Sequence, residues 1–347
     1  MLEALLEQRK IPPFKSREEM LDIMQREVYG YLPPKPDKIE FKISDNQNPF
    51  FCAGKAELRK VEITCQINGQ DFTFPVTAVL PAKEGKHPFF ICINFRPNVP
   101  DMYIPAEEII DNGFAIISFC YNDVTNDTPD FTHGLAGILY KGGKREKSDA
   151  GKIAMWAWAA QRVMDFAETL DCLDLEKSVV CGHSRLGKTA LLTAATDTRF
   201  ATAFSNDSGC GGAAITRGKQ GEHIEQMCAS FPYWFSENYL QYVKNEENMP
   251  FDQHFLFASI TPRNIYVASA EQDLWADPES EMLNCFAVSE IYESFGKKGF
   301  VCEDRLPKVN DKYHDGCIGY HLRAGKHFFS REDWNYVFEY LRKHSKG

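Results

Sequence analysis

The sequence lacks both a long apolar run and a concentration of basic charge. The nearest candidate for a membrane-spanning helix, Ile153–Ala160, is far shorter than the roughly 20 apolar residues that such a helix needs. The chain has 39 lysines and arginines against 49 aspartates and glutamates, for a formal net charge of −10. It contains no basic stripe that could bind a phosphate backbone or an anionic membrane surface. We therefore expect neither nucleic acid nor a membrane as a partner.

Cysteine pairs with metal-binding spacing are also missing. The 11 cysteines are scattered between Cys52 and Cys317, and none stands in a C-x-x-C pair, so we expect neither a metal site nor a dense set of disulfides. Most should be buried free thiols. The N-terminus lacks a basic region followed by an apolar stretch and a cleavage site. This is typical of a cytoplasmic protein, or of a secreted one whose signal peptide has been removed.

Two regions are predicted along the 347 residues. Residues 1–45 form a helical lead-in that packs on the core, with a capping box at Ser16 to Glu19 that starts a short helix. Residues 46–347 form one large domain, since a chain that is 44% hydrophobic can bury a single sizeable core. Near its start, the runs Leu58–Ile67 and Phe72–Leu80 flank Asn68-Gly69, which predicts an antiparallel hairpin at the edge of a larger sheet.

Short apolar strands then alternate with helices. This pattern predicts an α/β fold with a mostly parallel central sheet and helices on both faces. The clearest helix spans about residues 149–170, whereas residues 223–260 and 300–320 are irregular and are expected to form insertions around a site. The predicted strands are Pro88–Phe95, Phe114–Tyr121, Ser178–Cys181, Ala201–Ser205 and Asn264–Ala270.

A strand, a sharp turn and a helix follow one another over residues 177–192, in the arrangement of the nucleophile elbow of α/β-hydrolases. Ser184 takes the place of the nucleophile. In the usual G-x-S-x-G elbow, small residues two before and two after the serine allow the strained turn to form. Here Gly182 takes the first place, but Leu186 takes the second and Gly187 follows it. The alternative is a glycine-rich turn that only exposes a serine to solvent.

Residues 182–188 read G-x-S-R-x-G-K, which resembles the elbow of the glucuronoyl esterases, family 15 of the carbohydrate esterases. Other segments resemble the same family in the same order, so that the resemblance covers about residues 90–340. It implies an α/β-hydrolase fold and a serine esterase that requires no cofactor or metal. These other segments are residues 205–214, Gly221-Glu222, residues 267–278 and residues 318–327.

A serine hydroxyl needs a general base, and in this fold the histidine follows both the serine and the acid along the chain. His327 fits that place, and it is where the resembled family has its catalytic histidine. His314 and His321 are the alternatives, although each is more simply explained as a hydrogen-bonded structural histidine. His183, next to the serine, is expected to pack within the turn.

The acid that orients the histidine has two candidates. Asp273 follows the predicted strand 264–270, which is the ordinary place in this fold and, by the resemblance, the place used by many bacterial members. Asp207 falls where other members, including the fungal ones, have a glutamate. We favour Asp273, and we expect Asp207 to share the role or to form a second carboxylate near the histidine.

Arg185 is the predicted oxyanion residue, through its backbone N–H and, by the resemblance, its guanidinium. No lipase-type HGGG loop follows Phe95, which suits an oxyanion hole assisted by a side chain. Lys188, Glu222 and Trp275 match the sugar-contacting positions of the family. Without the resemblance they would be interpreted as a surface lysine, a solvated acid and a core tryptophan.

The resemblance implies hydrolysis of esters of glucuronic or 4-O-methylglucuronic acid, as found in xylan linked to lignin, through an acyl-enzyme intermediate. The expected partner is therefore a glucuronoxylan fragment. One alternative is an acetylxylan esterase or another carbohydrate esterase, since the same triad cleaves either ester. Another is a carbohydrate-binding relative without activity. A peptidase ranks behind both.

Overall fold

The centre of the protein is one sheet of ten strands. The computed structural model describes residues 1–44 and 48–344, and within them the strand order is β1-β2-β3-β5-β4-β6-β7-β8-β10-β9. The five neighbouring pairs from β5 across to β10 are parallel. The strands are β1 Lys38–Ile43, β2 Ala56–Ile67, β3 Gln70–Pro81, β4 His87–Asn94, β5 Ala115–Cys120, β6 Leu173–His183, β7 Thr202–Asn206, β8 Asn264–Ala270, β9 Lys312–Tyr313 and β10 Ile318–Arg323.

Helices connect these strands and cover the sheet. None of the helices in the described ranges combines the length and the apolar character needed to cross a membrane. The α-helices are α1 Leu2–Arg9, α2 Arg17–Ile23, α3 Ala106–Asp111, α4 Tyr121–Val124, α5 Gly134–Leu139, α6 Lys152–Ala167, α7 Arg185–Thr196, α8 Ile224–Ser230, α9 His254–Ile260, α10 Pro278–Ser294 and α11 Arg331–His344.

Apolar side chains lie on both faces of the sheet, as expected of central parallel strands. On β4, Phe89 and Ile91 point into one core, which they share with α6, α7 and α9. Their neighbours Phe90 and Cys92 point into a second core, which they share with α3 and α11. The predicted architecture, a mostly parallel sheet with helices on both faces, is confirmed.

The predicted hairpin and strands occur close to their predicted limits. Strands β2 and β3 pair antiparallel around Asn68 and Gly69, whose φ values are 53° and 74°, as a tight two-residue turn requires. Strand β8 has the predicted bounds, and the helix predicted over about residues 149–170 is α6. Strand β6 is longer than predicted, because it begins at Leu173.

Three strands were not predicted: β1, the two-residue β9 and β10. Residues 38–43 were assigned to a helical lead-in, but they form β1, which pairs antiparallel with β2. Strand β10 partly occupies the region 300–320, which was expected to be irregular, and it pairs parallel with β8. The boundary predicted between residues 45 and 46 lies outside the described residues, and the division into a lead-in and one large domain stays a prediction.

The N-terminal residues are tied to the helices behind the sheet. Ser16 caps α2 in the predicted capping box with Glu19. Arg17 donates to the carbonyls of Ala195 in α7 and Ser259 in α9, both at 2.9 Å. These carbonyls lie in the last turns of their helices, where no partner is available within the helix, so α2 caps the C-terminal ends of two core helices.

Candidate active site

Ser184 lies on a strained turn between β6 and α7. Its φ of 58° and ψ of −126° are unfavourable for a residue with a side chain. A Cβ on Gly182 would lie 2.3 Å from the carbonyl oxygen of Leu186, and one on Gly187 would lie 2.8 Å from Ser205 Oγ. Glycine is therefore needed at 187, because the first turn of α7 packs against β7 at that point, whereas the side chain of Leu186 is buried in the core.

His327 and Asp273 follow the neighbouring parallel strands β10 and β8. The carboxyl ends of these strands meet at one edge of the sheet, which brings the two loops together. His327 Nδ1 lies 2.6 Å from Asp273 Oδ2, a short, charge-assisted distance. The side chain of Asp273 is 5% exposed and that of His327 is 44% exposed. The histidine is thus held from behind by a buried carboxylate while its other face remains accessible.

Asp207 lies beside this pair at the end of β7. One carboxylate oxygen accepts hydrogen bonds from Arg323 Nη2 and the Phe328 N–H, both at 3.3 Å, while the other is buried without a partner in the part of the chain described. Burial, together with the charges of neighbouring carboxylates, raises the pKa of Asp207 well above its ordinary value. One ligand atom each from Asp207, Asp273 and His327 lies within 4.8 Å of the others. These three could together contact a cation, so the predicted absence of a metal stays a prediction.

A second buried carboxylate, Glu281 of α10, supports the loop after Asp207. It accepts the N–H groups of Ser208 at 3.0 Å and Gly209 at 2.8 Å, and it accepts the hydroxyl of Ser269. Burial raises the pKa of Glu281 to about 7, although these hydrogen bonds oppose the rise.

Arg185 begins α7, so its N–H has no acceptor one turn earlier within the helix. Its guanidinium forms an ion pair with Asp127 and lies 4.5 Å from the ring centroid of Trp234. Arg185 Nε is buried without a hydrogen-bond partner in the described ranges. Both the backbone and the side chain of Arg185 thus have donors available at the edge of the turn.

Lys188, Glu222 and Trp275 form a second group at the site, joined by polar contacts. Lys188 is buried, and its Nζ donates to the Ser208 carbonyl at 2.6 Å and lies 3.8 Å from Glu222 Oε2. Burial lowers the pKa of Lys188. The N–H of Glu222 donates to the Trp275 carbonyl at 3.0 Å. Trp275 is 55% exposed, so it is not the core tryptophan that composition alone would suggest.

One cavity of about 330 Å³ brings all the predicted site residues together. We call it the site cavity. It is also lined by Phe231 and Trp234, which sequence reasoning missed, although they fall in the insertion predicted to surround a site. Their rings stack with centroids 4.0 Å apart and planes 2° apart. The lining residues are Ser184, Arg185, Lys188, Asp207, Ser208, Gly209, Glu222, Phe231, Trp234, Asp273, Trp275, Ala276 and His327.

The remaining candidate histidines do not line the site cavity. His183 is buried behind it, with Nδ1 2.5 Å from Asn206 Oδ1 and its ring centroid 4.3 Å from that of His327. Burial, helped by His327, lowers the pKa of His183 to about 3, so it packs as a neutral ring. His314 and His321 both contact the Tyr266 hydroxyl, and His321 Nε2 also lies 2.9 Å from Asp333.

Comparison with known proteins gives consistent results at three levels. A family model described as "Glucuronyl esterase, fungi" matches residues 63–296. A carbohydrate esterase from an unknown prokaryotic organism is 39% identical over 243 residues, which are 70% of this chain and 56% of that protein. A 4-O-methyl-glucuronoyl methylesterase from Podospora anserina is 28% identical over 260 residues, or 72% and 49% of the two chains. The chain thus spans about half the length of the curated relatives it matches.

Solved structures are similar over almost the whole chain. A glucuronoyl esterase from Solibacter usitatus superposes with a TM-score of 0.86 at 31% identity, covering 96% of this chain and 93% of that one. A structure described as a promiscuous CE15 esterase from a marine bacterial metagenome has a TM-score of 0.84 at 31% identity, with coverages of 95% and 91%.

Proposed function

Because this chain belongs to the glucuronoyl esterase family, we propose that it hydrolyses esters of glucuronic or 4-O-methylglucuronic acid, as they occur in glucuronoxylan, through an acyl-enzyme on Ser184. The family resemblance and the α/β-hydrolase fold predicted from the sequence are both confirmed. The observation that carries the proposal is the site cavity, which Ser184 and the His327–Asp273 pair line together with Lys188 and Glu222.

The proposed reaction has two halves. Ser184 Oγ attacks the ester carbonyl carbon while His327 Nε2 takes its proton, since Nδ1 is engaged by Asp273. The tetrahedral intermediate collapses, the bond to the alcohol oxygen breaks, and His327 returns the proton to the departing alcohol. Water then attacks the acyl carbon by the same route and releases the uronic acid and the free serine.

Arg185 stabilises the negative charge that develops on the carbonyl oxygen. Its N–H at the start of α7 and its guanidinium at the cavity wall are donors positioned before the reaction begins, which is what an oxyanion site requires. Among residues 1–44 and 48–344, Arg185 Nε has no partner. This is consistent with the role, because a buried N–H is favourable only if an acceptor, here the ligand, is supplied.

Lys188, Glu222 and Trp275 bind the uronate ring. Lys188 and Glu222 are a buried donor and a mostly buried acceptor 3.8 Å apart, a spacing suited to adjacent sugar hydroxyls, and the exposed ring of Trp275 supplies an apolar face. An esterase that removes only acetyl groups has no use for these three side chains. They therefore support a uronate ester over an acetyl ester.

The test compares benzyl glucuronate, acetylated xylan and p-nitrophenyl acetate with wild type, Ser184→Ala and the control Ser294→Ala, which alters an exposed serine of α10. We expect Ser184→Ala to lose at least about four orders of magnitude in turnover of benzyl glucuronate and Ser294→Ala to behave as wild type. Serine-dependent turnover of acetyl esters alone would make the protein an acetyl esterase. Absence of any serine-dependent turnover would favour a binding protein.

A further inference from the structure

Aromatic rings surround the guanidinium of Arg185. They limit its position but do not fix the direction of its N–H groups. Its central carbon lies 4.5 Å from the ring centroid of Trp234, 5.3 Å from that of Phe231 and 5.6 Å from that of Phe95. Contacts between a cation and a ring face leave rotation within the plane nearly free. A directional partner is needed to fix which N–H groups face the cavity, and the carboxylate of Asp127 is that partner.

Asp127 is itself held by donors from two other segments. Trp234 Nε1 donates to Oδ1 at 2.6 Å and the Tyr121 hydroxyl donates to Oδ2 at 3.0 Å. The Tyr233 hydroxyl donates to its main-chain carbonyl at 3.0 Å. The carboxylate is 12% exposed, so solvent screens the pair with Arg185 only weakly. One carboxylate thereby fixes both Arg185 and the tryptophan that forms the cavity wall.

The loop that carries Asp127 is pinned by an unusual buried lysine. Lys152 of α6 is fully buried, and its Nζ donates to Thr125 Oγ1 at 2.7 Å, Asn126 Oδ1 at 3.1 Å and the Asp130 carbonyl at 2.6 Å. None of these acceptors is a carboxylate. Burial lowers the pKa of Lys152 to about 8, although the charges of the nearby Asp130 and Asp127 oppose this shift. Its contacts lie on both sides of Asp127 in the chain.

We propose that Asp127 is a positioning residue of the esterase: it orients the guanidinium of Arg185 toward the oxyanion, on a loop that Lys152 fixes. This inference rests on the proposed function of Ser184 and Arg185. Asp127 does not touch the substrate, and its effect passes through Arg185. The proposal therefore predicts a lower kcat rather than a higher KM, because the oxyanion forms only during the reaction and is absent from the bound substrate.

The test is Asp127→Asn, which keeps the size and the acceptor for Trp234 but replaces the charge that faces Arg185. We expect kcat on benzyl glucuronate to fall by about ten- to a hundredfold with KM changed less than about threefold. Asp123→Asn, the same change at an exposed carboxylate four residues earlier in the chain, is the matched control and should match wild type. If Asp127→Asn does not fold, Tyr121→Phe removes one donor to the same carboxylate and should give a smaller loss of the same kind.

A double-mutant cycle with Arg185→Ala separates positioning from a general structural role. If Asp127 acts through Arg185, Asp127→Asn should have little further effect in the Arg185→Ala background. The same loss in both backgrounds, or a normal kcat in Asp127→Asn, would overturn the proposal.

The rate of Ser184 labelling by a fluorophosphonate gives a second readout that does not depend on the ester, and we expect it to follow the same cycle. If the protein is inactive on benzyl glucuronate but the labelling rates of the variants show the expected coupling between Asp127 and Arg185, only the proposed substrate is overturned. A wild type that does not label at Ser184 would overturn both proposals.

Discussion

The sharpest prediction concerns which carboxylate serves the base, and Asp273→Asn is the change that tests it. The carboxylate is 5% exposed and accepts from His327 Nδ1 at 2.6 Å. When His327 takes the serine proton, the imidazolium and the carboxylate lie about 4 Å apart between charge centres. At the effective dielectric near a protein surface this attraction is about 4 kcal/mol, or about three orders of magnitude in rate. The amide also no longer fixes the productive tautomer, so we expect kcat to fall by roughly 10³ to 10⁴.

Asp207→Asn is the matched change at the competing carboxylate. Its oxygen contacts Arg323 and a backbone N–H rather than the histidine ring, and the oxygen of the replacing amide can accept from both donors. The loss should be less than about tenfold, the value of one weakened hydrogen bond. Steady-state kcat on benzyl glucuronate at neutral pH, measured for both variants and wild type, would decide between the two carboxylates. A larger loss in Asp207→Asn than in Asp273→Asn would refute this assignment.

Three further predictions concern the turn, the buried acid and the sugar face. Gly182→Ala should destabilise the fold by several kcal/mol in urea unfolding, because the added methyl lies 2.3 Å from the Leu186 carbonyl oxygen; wild-type stability would contradict it. The folded pKa of Glu281 is raised from 4.5 to about 7, so wild type should lose roughly 3 kcal/mol of stability between pH 4.5 and 7. Glu281→Gln should lack that decline, as unfolding at pH 5 and pH 8 would reveal. Trp275→Ala should raise KM for benzyl glucuronate about tenfold with kcat retained, and an unchanged KM would remove Trp275 from the sugar site.

Local patterns made most of the sheet predictable, and the missed strands β1 and β10 show where they failed. Residues 38–43 alternate apolar and charged side chains, which is a strand signal, but the helical character of the preceding residues outweighed it. Strand β10 contains His321 and Arg323, which are unusual in a buried strand. Both contact Asp333 of α11, and no local pattern predicts a partner of that kind.

The parts of the site that belong to a local motif, or that follow a fixed order along the chain, could be predicted from the sequence. The elbow and the late histidine are local or ordered features, and both lie at the site cavity. The surroundings of Arg185 were not predictable, since Asp127 is 58 residues before it in the chain and 107 residues before Trp234. Those contacts depend on how the loop around Asp127 packs against the insertion 223–260, which no sequence spacing predicts.

The free cysteines can report on local unfolding of the protein. All 11 are free thiols, of which seven are buried and four are partly exposed. Alkylation requires a thiolate that a reagent can reach. Burial raises the pKa of the Cys210 thiol, and the main-chain carbonyl of Cys210 accepts a hydrogen bond from Lys188 of the site. Cys210 should therefore be alkylated only after the region around it unfolds locally, whereas the partly exposed Cys52 should be alkylated earlier. Mass spectrometry of timed alkylation could thus follow the order in which parts of the fold open, without any engineered label.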